Sequence, residues 1–407
     1  MTTTSSPTVV VAGAFDTKRE ALDLLCEALR SRGCRVHRID FGIAVHDVDA
    51  ETRPDDLARV AGLSLERVRT SGRDRALDAM GEAVGHELER LHRSGLVDAF
   101  VVAGGSGAGT VFGASASRLP FGVAKVLVST VVAGDTRGYL RGTDALLIYP
   151  VVDVEGLNGL LRDVLHRAAV AVAALAGEGR DRDAAPTGPR IAMTMFGITT
   201  PCVSAARLRL EREGAEVSVF HANGTGGATL ERLVSEGRFD AVLDVTTTEL
   251  ADLVAGGTLS AGAGRLTAAA AAGIPQVVVP GALDTVNFGP PESVPERLAH
   301  RRFHRHNENV TLMRTDLAEN AEMGRLLAAR TNAAPRSTVL VLPMGGFSEL
   351  DAPGMPFWWP EADATFRDAL VADLDASVRV VQSPAHVNDA GFAELLVTEL
   401  MTLRGVS

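Results

Sequence analysis

Short apolar runs alternate with amphipathic stretches along most of the chain. Residues 8–12 form the first apolar run, a polar turn follows, and Leu22, Leu25 and Leu29 then recur at helical spacing. The same order of strand, loop and helix returns repeatedly. Because parallel strands are covered by helices on both faces and read as continuous apolar runs, this alternation predicts an α/β protein with mostly parallel sheets.

Two series of these elements are separated by a segment of different composition. Strands are predicted at residues 8–12, 35–41, 99–103, 124–129 and 145–149, and then at 191–196, 216–220, 241–245, 276–279, 310–313, 338–342 and 378–380. Between the two series, residues 177–189 combine charges, glycine and proline, which is typical of a linker. We therefore predict two Rossmann-like subdomains, residues 1–180 and 190–407, with residues 177–189 as the linker and a cleft between the subdomains.

Composition and charge disfavour several classes of function. The hydrophobic content of 46% and the charged content of 22% are ordinary for a globular protein. A formal net charge of −11 disfavours binding to DNA or RNA, which draws on clusters of Lys and Arg. The three cysteines lack CxxC spacing, and the sequence shows neither a signal peptide nor a long uninterrupted apolar run. These features predict a cytoplasmic protein without nucleic-acid or membrane partners.

Two glycine-rich loops follow predicted strands. Gly104-Gly105-Ser106-Gly107 lies in the first half and Gly224-Thr225-Gly226-Gly227 in the second. Glycine lets backbone N–H groups approach an anion closely, and the dipole of the following helix favours negative charge there. Both loops are therefore candidate phosphate cradles. The alternative is a tight crossover that needs glycine only for packing.

Three further polar segments lie at predicted strand ends. Asp16-Thr17-Lys18 follows the first strand, at the edge where open α/β sheets bind ligands, and Lys18 is a candidate partner of a phosphate or a carboxylate. Thr246-Thr247-Thr248 offers hydroxyls for a phosphate or a metal-bound water, and Arg314 is a candidate anion clamp. Each segment has a structural alternative, which is a helix cap, a set of side-chain turns and an inter-element ion pair, respectively.

Glu249 and His306 are candidates for acid and base chemistry. Polar residues beside apolar strands at a cleft are where tuned pKa values occur. His304 and His306 also have a spacing compatible with metal ligation, but no third ligand is indicated, so we assign no metal site. Cys202 is better explained as a small buried side chain than as a nucleophile.

Several long strings occur in one order and carry a resemblance to a known family. They include Lys125 to Thr130, Val151 to Asp153, Thr194 to Cys202, Leu243 to Glu249, Gly281 to Asp284 and Val310 to Thr315, together with both glycine-rich loops. On these residues the chain resembles the UPF0261 family, whose members are called Tm-1-like ATP-binding proteins.

The resemblance implies two α/β subdomains, binding of ATP, alone or with Mg²⁺, and self-association, which predicts a homodimer. The expected partner is a nucleotide or another phosphorylated small molecule, held between the two halves. The expected contacts are Asp16, Thr17, Lys18, Gly104, Gly105, Ser106, Gly107, His221, Gly224, Thr225, Gly226, Gly227, Thr246, Thr247, Thr248 and Arg314. The alternative function is an enzyme acting on a small carboxylate or carbonyl metabolite, with Glu249 and His306 as acid and base.

Overall fold

A five-stranded and a six-stranded parallel sheet organise the chain. The computed structural model describes residues 6–45, 47, 49–140, 142–178 and 188–405. The chain divides into two units, Met1–Ala184 and Ala185–Ser407, each with its own sheet and its own core. Most of the predicted linker, residues 179–187, lies outside the described residues.

The sheet of the first unit follows the predicted strands closely. It contains β1 (Thr8–Gly13), β2 (Arg35–Asp40), β3 (Ala99–Gly104), β4 (Ala124–Ser129) and β5 (Leu146–Ile148). The strands are parallel and lie in the order β2-β1-β3-β4-β5. β1 and β3 are buried at every position, which explains their runs of valine and alanine, since central parallel strands are covered on both faces.

Helices cover the two faces of this sheet in separate groups. They are α1 (Phe15–Arg30), α2 (Pro54–Val60), α3 (Leu65–Thr70), α4 (Arg73–Arg93), α5 (Ser106–Ser115), α6 (Arg137–Leu140) and α7 (Gly159–Gly177). α1 and α7 pack on one face, whereas α2 to α5 pack on the other. Leu22, Leu25 and Leu29 of α1 are buried in the first of these cores, which confirms the helix predicted from their spacing.

The second unit has a parallel main sheet and a small antiparallel sheet. Its strands are β6 (Arg190–Met195), β7 (Glu216–His221), β8 (Ala241–Thr246), β9 (Gln276–Gly281), β10 (Thr285–Phe288), β11 (Phe303–Arg305), β12 (Thr311–Arg314), β13 (Thr338–Pro343) and β14 (Arg379–Ser383). The main sheet has the order β14-β13-β9-β8-β6-β7, and the small sheet has the order β10-β12-β11. The strand predicted at residues 310–313 therefore exists as β12, but it belongs to the antiparallel sheet.

The helices of the second unit include one long helix that the apolar pattern did not predict. They are α8 (Thr200–Arg212), α9 (Thr225–Ser235), α10 (Thr248–Ala255), α11 (Ala268–Ala272), α12 (Leu317–Asn332), α13 (Pro360–Asp373) and α14 (Ala390–Leu403). A start signal for the unpredicted helix α12 was present, because Asp316 and Glu319 form a capping box. The closing helix α14 packs with α8 in one core of this unit.

The close approach of α12 and α13 at Gly324 generates the first testable prediction. A Cβ atom at Gly324 would lie 2.4 Å from the carbonyl oxygen of Phe366. Gly324→Ala is therefore expected to lower the free energy of unfolding by about 1–3 kcal/mol, because the two helices must separate. Urea denaturation monitored by the fluorescence of Trp358 and Trp359, both in the second unit, measures the change.

Gly391→Ala on α14 is the matched control. A Cβ atom there would meet nothing within 4 Å, so this variant is expected to gain about 0.5–1 kcal/mol from its higher helix propensity. Equal stability of the two variants would contradict the close packing at Gly324.

Candidate functional site

A cavity of about 530 Å³ lies at the carboxyl edge of the first unit's sheet. Its size is within the range of roughly 300–1,000 Å³ that is typical of small-molecule sites. It is lined by Ala14, Asp16, Thr17, Lys18, Phe41, Gly42, Ile43, Arg73, Ala76, Leu77, Met80, Ala103, Gly104, Gly105, Ser106, Gly107, Ala108, Thr130 and Asp153. The structure thus brings together the two polar segments that were predicted in the first half, around Lys18 and around Gly105.

The strand order explains why the cavity forms at this place. β1 and β3 are neighbours in the sheet, but α1 follows β1 onto one face and α5 follows β3 onto the other. The connections that leave these two strands therefore diverge and open a crevice between them. This is the topological switch point at which open α/β sheets bind ligands.

The backbone N–H groups at the start of α5 are available to a ligand. The N–H groups of Gly105, Ser106 and Gly107 donate no hydrogen bond within the described part of the chain, whereas Ala108 N–H donates to the carbonyl of Gly105 at 3.1 Å. These three residues line the cavity. Unsatisfied amides and the helix dipole together favour an anion at this position.

The first loop contributes a cation and a carboxylate. Lys18 interrupts the helical geometry of α1, with φ −122° and ψ 21°, and its Nζ pairs with the carboxylate of Glu155. Asp16 accepts a hydrogen bond from Ala44 N–H at 3.0 Å through Oδ2, and its Oδ1 is buried without a hydrogen-bond partner. Gly42 is required beside this carboxylate, because a Cβ atom there would lie 2.6 Å from Asp16 Cγ.

One wall of the cavity is apolar and carries a cation that the sequence reading did not single out. Phe41 and Met80 are buried in the core below α4, and Leu77 packs against it. Arg73, in the first turn of α4, lines the same cavity and has no ion pair or hydrogen bond in the described residues. The cavity therefore offers an apolar surface beside unpaired amides and an unpaired guanidinium.

The second glycine-rich loop is arranged differently, and the expectation that its amides stand open to a phosphate is corrected. Gly224 N–H and Gly227 N–H both donate to Glu249 Oε1, at 2.6 and 3.0 Å, and Gly226 N–H donates to Asn223 Oδ1. A Cβ atom at Gly227 would lie 2.0 Å from Glu249 Oε2. Glycine is needed here so that the protein's own carboxylate can enter the loop.

A fully buried arginine holds this carboxylate in place. Arg265 Nε donates to Glu249 Oε2 at 2.6 Å, and its two terminal nitrogens donate to the Asp244 carboxylate at 2.5 and 2.7 Å. Burial raises the pKa of Glu249, and Arg265 acts in the opposite direction. Glu249 does not line the first unit's cavity, so its position is that of a structural anion and gives no support to the predicted acid or base role.

The three consecutive threonines also bond within the second unit. Thr246 Oγ1 is hydrogen-bonded to Thr199 Oγ1 at 2.8 Å, and Thr247 and Thr248 donate to main-chain carbonyls of Val279 and Thr285 at 3.1 and 2.9 Å. All three side chains are buried. The expectation of hydroxyls open to a phosphate is therefore corrected, because these groups tie β8 and α10 to their neighbours.

Arg314 is part of a buried ionic cluster. Its Nη2 pairs with Asp363 at 2.6 Å and lies 3.7 Å from Asp351, and its Nε donates to the carbonyl of Phe357. The structural alternative of an inter-element ion pair thus describes Arg314, and the anion-clamp expectation is corrected. Burial, and next the Asp351 carboxylate, raise the pKa of neighbouring Asp284 to about 6.

The predicted histidine and cysteine positions are not among the residues that line the first unit's cavity. His221 is exposed at the end of β7 and stacks on Phe196 at 5.3 Å, and His306 is exposed in the turn after β11. The described ranges contain no group of three or more His, Cys, Asp or Glu that could hold a metal ion. Cys202 is buried, which raises the pKa of its thiol to about 12.

Comparisons with known proteins match the chain along nearly its whole length. The N-terminal domain of the uncharacterised protein family UPF0261 matches residues 7–180, and the C-terminal domain of the same family matches residues 188–404. A UPF0261 protein of Clostridium tetani is 37% identical over 401 residues, covering 97% of this chain and 98% of that protein. A UPF0261 protein of Rhizobium meliloti is 40% identical and covers 96% and 97%.

A plant protein and solved structures complete the comparisons. The ToMV resistance protein Tm-1 of Solanum lycopersicum is 36% identical, over 98% of this chain and 56% of its own length. The UDP-GlcNAc 2-epimerase of Methanocaldococcus jannaschii, solved with UDP-GlcNAc and UDP, is 10% identical with a TM-score of 0.22, over 67% of this chain and 83% of that one. A likeness at that level carries no argument about a ligand. None of the described helices is long and apolar enough to cross a membrane.

The buried position of Arg265 predicts a large effect of its removal. Arg265→Ala leaves Asp244 and Glu249 as buried carboxylates without their cation, so the free energy of unfolding is expected to fall by about 3–5 kcal/mol. Arg207→Ala, which removes an exposed pair with Glu211 on α8, is the control and is expected to cost less than about 0.5 kcal/mol. Urea denaturation compares them, and similar losses would contradict the anchoring role of Arg265.

Asp284 predicts a dependence of stability on pH. Because its pKa is raised from 3.8 to about 6, its stabilising contribution is complete below about pH 4 and is lost as the pH rises to about 6. Asp284→Asn copies the protonated side chain and does not titrate. Relative to wild type, its free energy of unfolding is expected to rise by on the order of 1–3 kcal/mol between pH 4 and pH 7.

Denaturation at a series of pH values measures this difference. Asp368→Asn changes an exposed carboxylate on α13 and is the control, with no such trend expected. A constant difference between Asp284→Asn and wild type across this pH range would refute a raised pKa at Asp284.

Proposed function

This chain belongs to the UPF0261 family, and from that premise we propose that its first unit binds a nucleotide-like phosphorylated small molecule in the cavity at the carboxyl edge of its sheet. One observation carries the proposal. Gly105, Ser106 and Gly107 line the cavity at the start of a ten-residue helix, and their N–H groups have no acceptor among the residues that the structure describes. A phosphate would supply acceptors to these donors, and its charge would be stabilised by the helix dipole.

The remaining lining divides into a polar and an apolar part, as a nucleotide requires. Arg73 and Lys18 would pair with phosphate oxygens, and the Ser106 hydroxyl adds a donor beside the amides. Phe41, Met80 and Leu77 offer the surface against which an aromatic base or another apolar group would pack. We therefore propose a ligand with one anionic end and one apolar end.

ATP is the ligand to test first, because the family resemblance implies it. Mg²⁺ bound with nucleotides is usually held by one or two carboxylates together with phosphate oxygens and water. Asp16 and Asp153 line the cavity, and Asp16 Oδ1 is buried without a hydrogen-bond partner. Carboxylate oxygens are the ligands that Mg²⁺ prefers, so Asp16 and Asp153 would hold the ion in an ATP complex.

The proposal concerns binding and assigns no reaction. Glu249 is fixed by Arg265 and two backbone amides, so the enzyme alternative that used Glu249 and His306 has no supporting contact. All proposed ligand contacts come from the first unit. The homodimer expected from the family resemblance stays a prediction.

Arg73 provides the sharpest test. Arg73→Ala is expected to weaken ATP binding by roughly tenfold or more, because a charge-assisted contact contributes about 1.5–3 kcal/mol. Arg75→Ala, an equal loss of charge two residues later on α4, lies outside the cavity lining and is expected to leave the affinity unchanged. Titration calorimetry with ATP, with and without Mg²⁺, measures both variants against wild type.

Two results would count against the proposal. Absence of heat and of thermal stabilisation of wild type at millimolar ATP would reject ATP as the ligand. Equal affinities of Arg73→Ala, Arg75→Ala and wild type for ATP would show that the nucleotide binds elsewhere.

A further inference from the structure

The cation that sequence analysis assigned to a ligand phosphate already has a counter-ion in the protein. Lys18 lines the cavity, and its Nζ pairs with Glu155, which is not among the lining residues. The Lys18 side chain is 19% exposed, whereas that of Glu155 is 72% exposed. Hydrogen bonding from Lys18 lowers the pKa of Glu155, so this carboxylate is charged at neutral pH. The partly buried ammonium group of Lys18 is therefore neutralised by the solvent-exposed carboxylate of Glu155.

The backbone on both sides of this pair departs from regular geometry. Lys18 has non-helical angles within α1. Glu155 belongs to the segment between β5 and α7, in which Val151 has φ 69°. A β-branched residue in the left-handed region is strained, and strained backbone of this kind clusters at active sites and ligand-binding segments. The same segment places Asp153 in the cavity lining.

We propose that Glu155 is an exchangeable counter-ion of Lys18. Glu155 pairs with Lys18 when no ligand is bound, and the anionic end of the ligand replaces Glu155 as the partner of Lys18. This inference rests on the proposed function and deepens it, because it names the residue that competes with the ligand. Glu155 lowers the affinity for every ligand whose phosphate must reach Lys18. A ligand that occupies only the apolar wall leaves the pair intact.

The contrast with Arg73 supports this competition. Arg73 is unpaired in the described residues and can meet a phosphate directly, whereas the charge of Lys18 is already neutralised by Glu155. The pair is weak enough to exchange, because an ion pair with one partner exposed to water contributes little to stability and is further screened by salt. The cavity thus combines one cation that is always available with one that is released by the ligand.

Removal of the Glu155 charge tests the inference. Glu155→Gln keeps the size and shape of the side chain and is expected to bind ATP about two- to fivefold more tightly than wild type at low ionic strength. The gain is expected to shrink in high salt. In a Lys18→Met background the same substitution is expected to have no effect, because the competed cation is gone. Titration calorimetry on the full chain measures all four proteins.

Glu82→Gln is the matched control for net charge. Glu82 is an exposed carboxylate on α4 that pairs with Arg118 and does not line the cavity, so its neutralisation is expected to leave the ATP affinity unchanged. An equal gain in Glu82→Gln, or a gain from Glu155→Gln that persists with Lys18→Met, would show a general charge effect and overturn the inference.

The remaining outcomes separate the two proposals. If wild type binds ATP and Glu155→Gln binds it no more tightly, the counter-ion inference alone is overturned. Absence of ATP binding in both wild type and Glu155→Gln overturns this inference together with the proposed function.

Discussion

A backbone N–H group that is withdrawn from water needs a hydrogen-bond acceptor, and the two units of the chain meet this requirement in different ways. Each unit has a glycine-rich loop between a strand and a helix. In the second unit the acceptor is Glu249, which takes hydrogen bonds from Gly224 and Gly227. In the first unit the corresponding donors at Gly105, Ser106 and Gly107 line a cavity. The identity of the acceptor therefore decides which loop is structural and which can serve a ligand.

The acceptor in the second unit is itself secured by charge. Arg265 bridges Glu249 and Asp244 in the interior, and without it two carboxylates would lie uncompensated away from water. Arg314 plays a comparable part toward Asp363. The second unit thus uses its buried cations to hold its own anions. The first unit leaves the guanidinium of Arg73 exposed at the cavity.

Local pattern was enough to predict the strands beside the first cavity and the helix α1 that follows the first of them. β1 and β3 are continuous apolar runs, and the segments around Lys18 and Gly105 follow them directly in sequence, so their meeting at one edge follows from parallel pairing. Arg73 and Met80 could not be placed in this way. They reach the cavity through α4, after a polar stretch with short helices, and the return of α4 to the sheet depends on long-range packing.

The roles of the two glycine-rich loops could not be distinguished from sequence for a related reason. Their compositions are alike, and the difference depends on a carboxylate 25 residues away from Gly224, on the helix after the next strand. The same limit applies to Thr246, whose hydroxyl partner Thr199 is 47 residues away. Short motifs predict which chemical groups are present at a loop. The tertiary fold decides whether those groups bond to other residues of the protein or remain open to a ligand.

Glu249 is in this sense a built-in anion of the second unit, and its presence makes the stability of the two units depend differently on small molecules in the cell. A site that is filled by the protein's own side chain has a fixed occupancy, so the folding free energy of the second unit is independent of any metabolite at that loop. A site that awaits an external anion is linked to its concentration by mass action, and under the proposed function the first unit becomes more stable as its ligand accumulates. One chain would then combine a unit whose stability does not depend on the ligand with a unit whose stability rises with the ligand concentration.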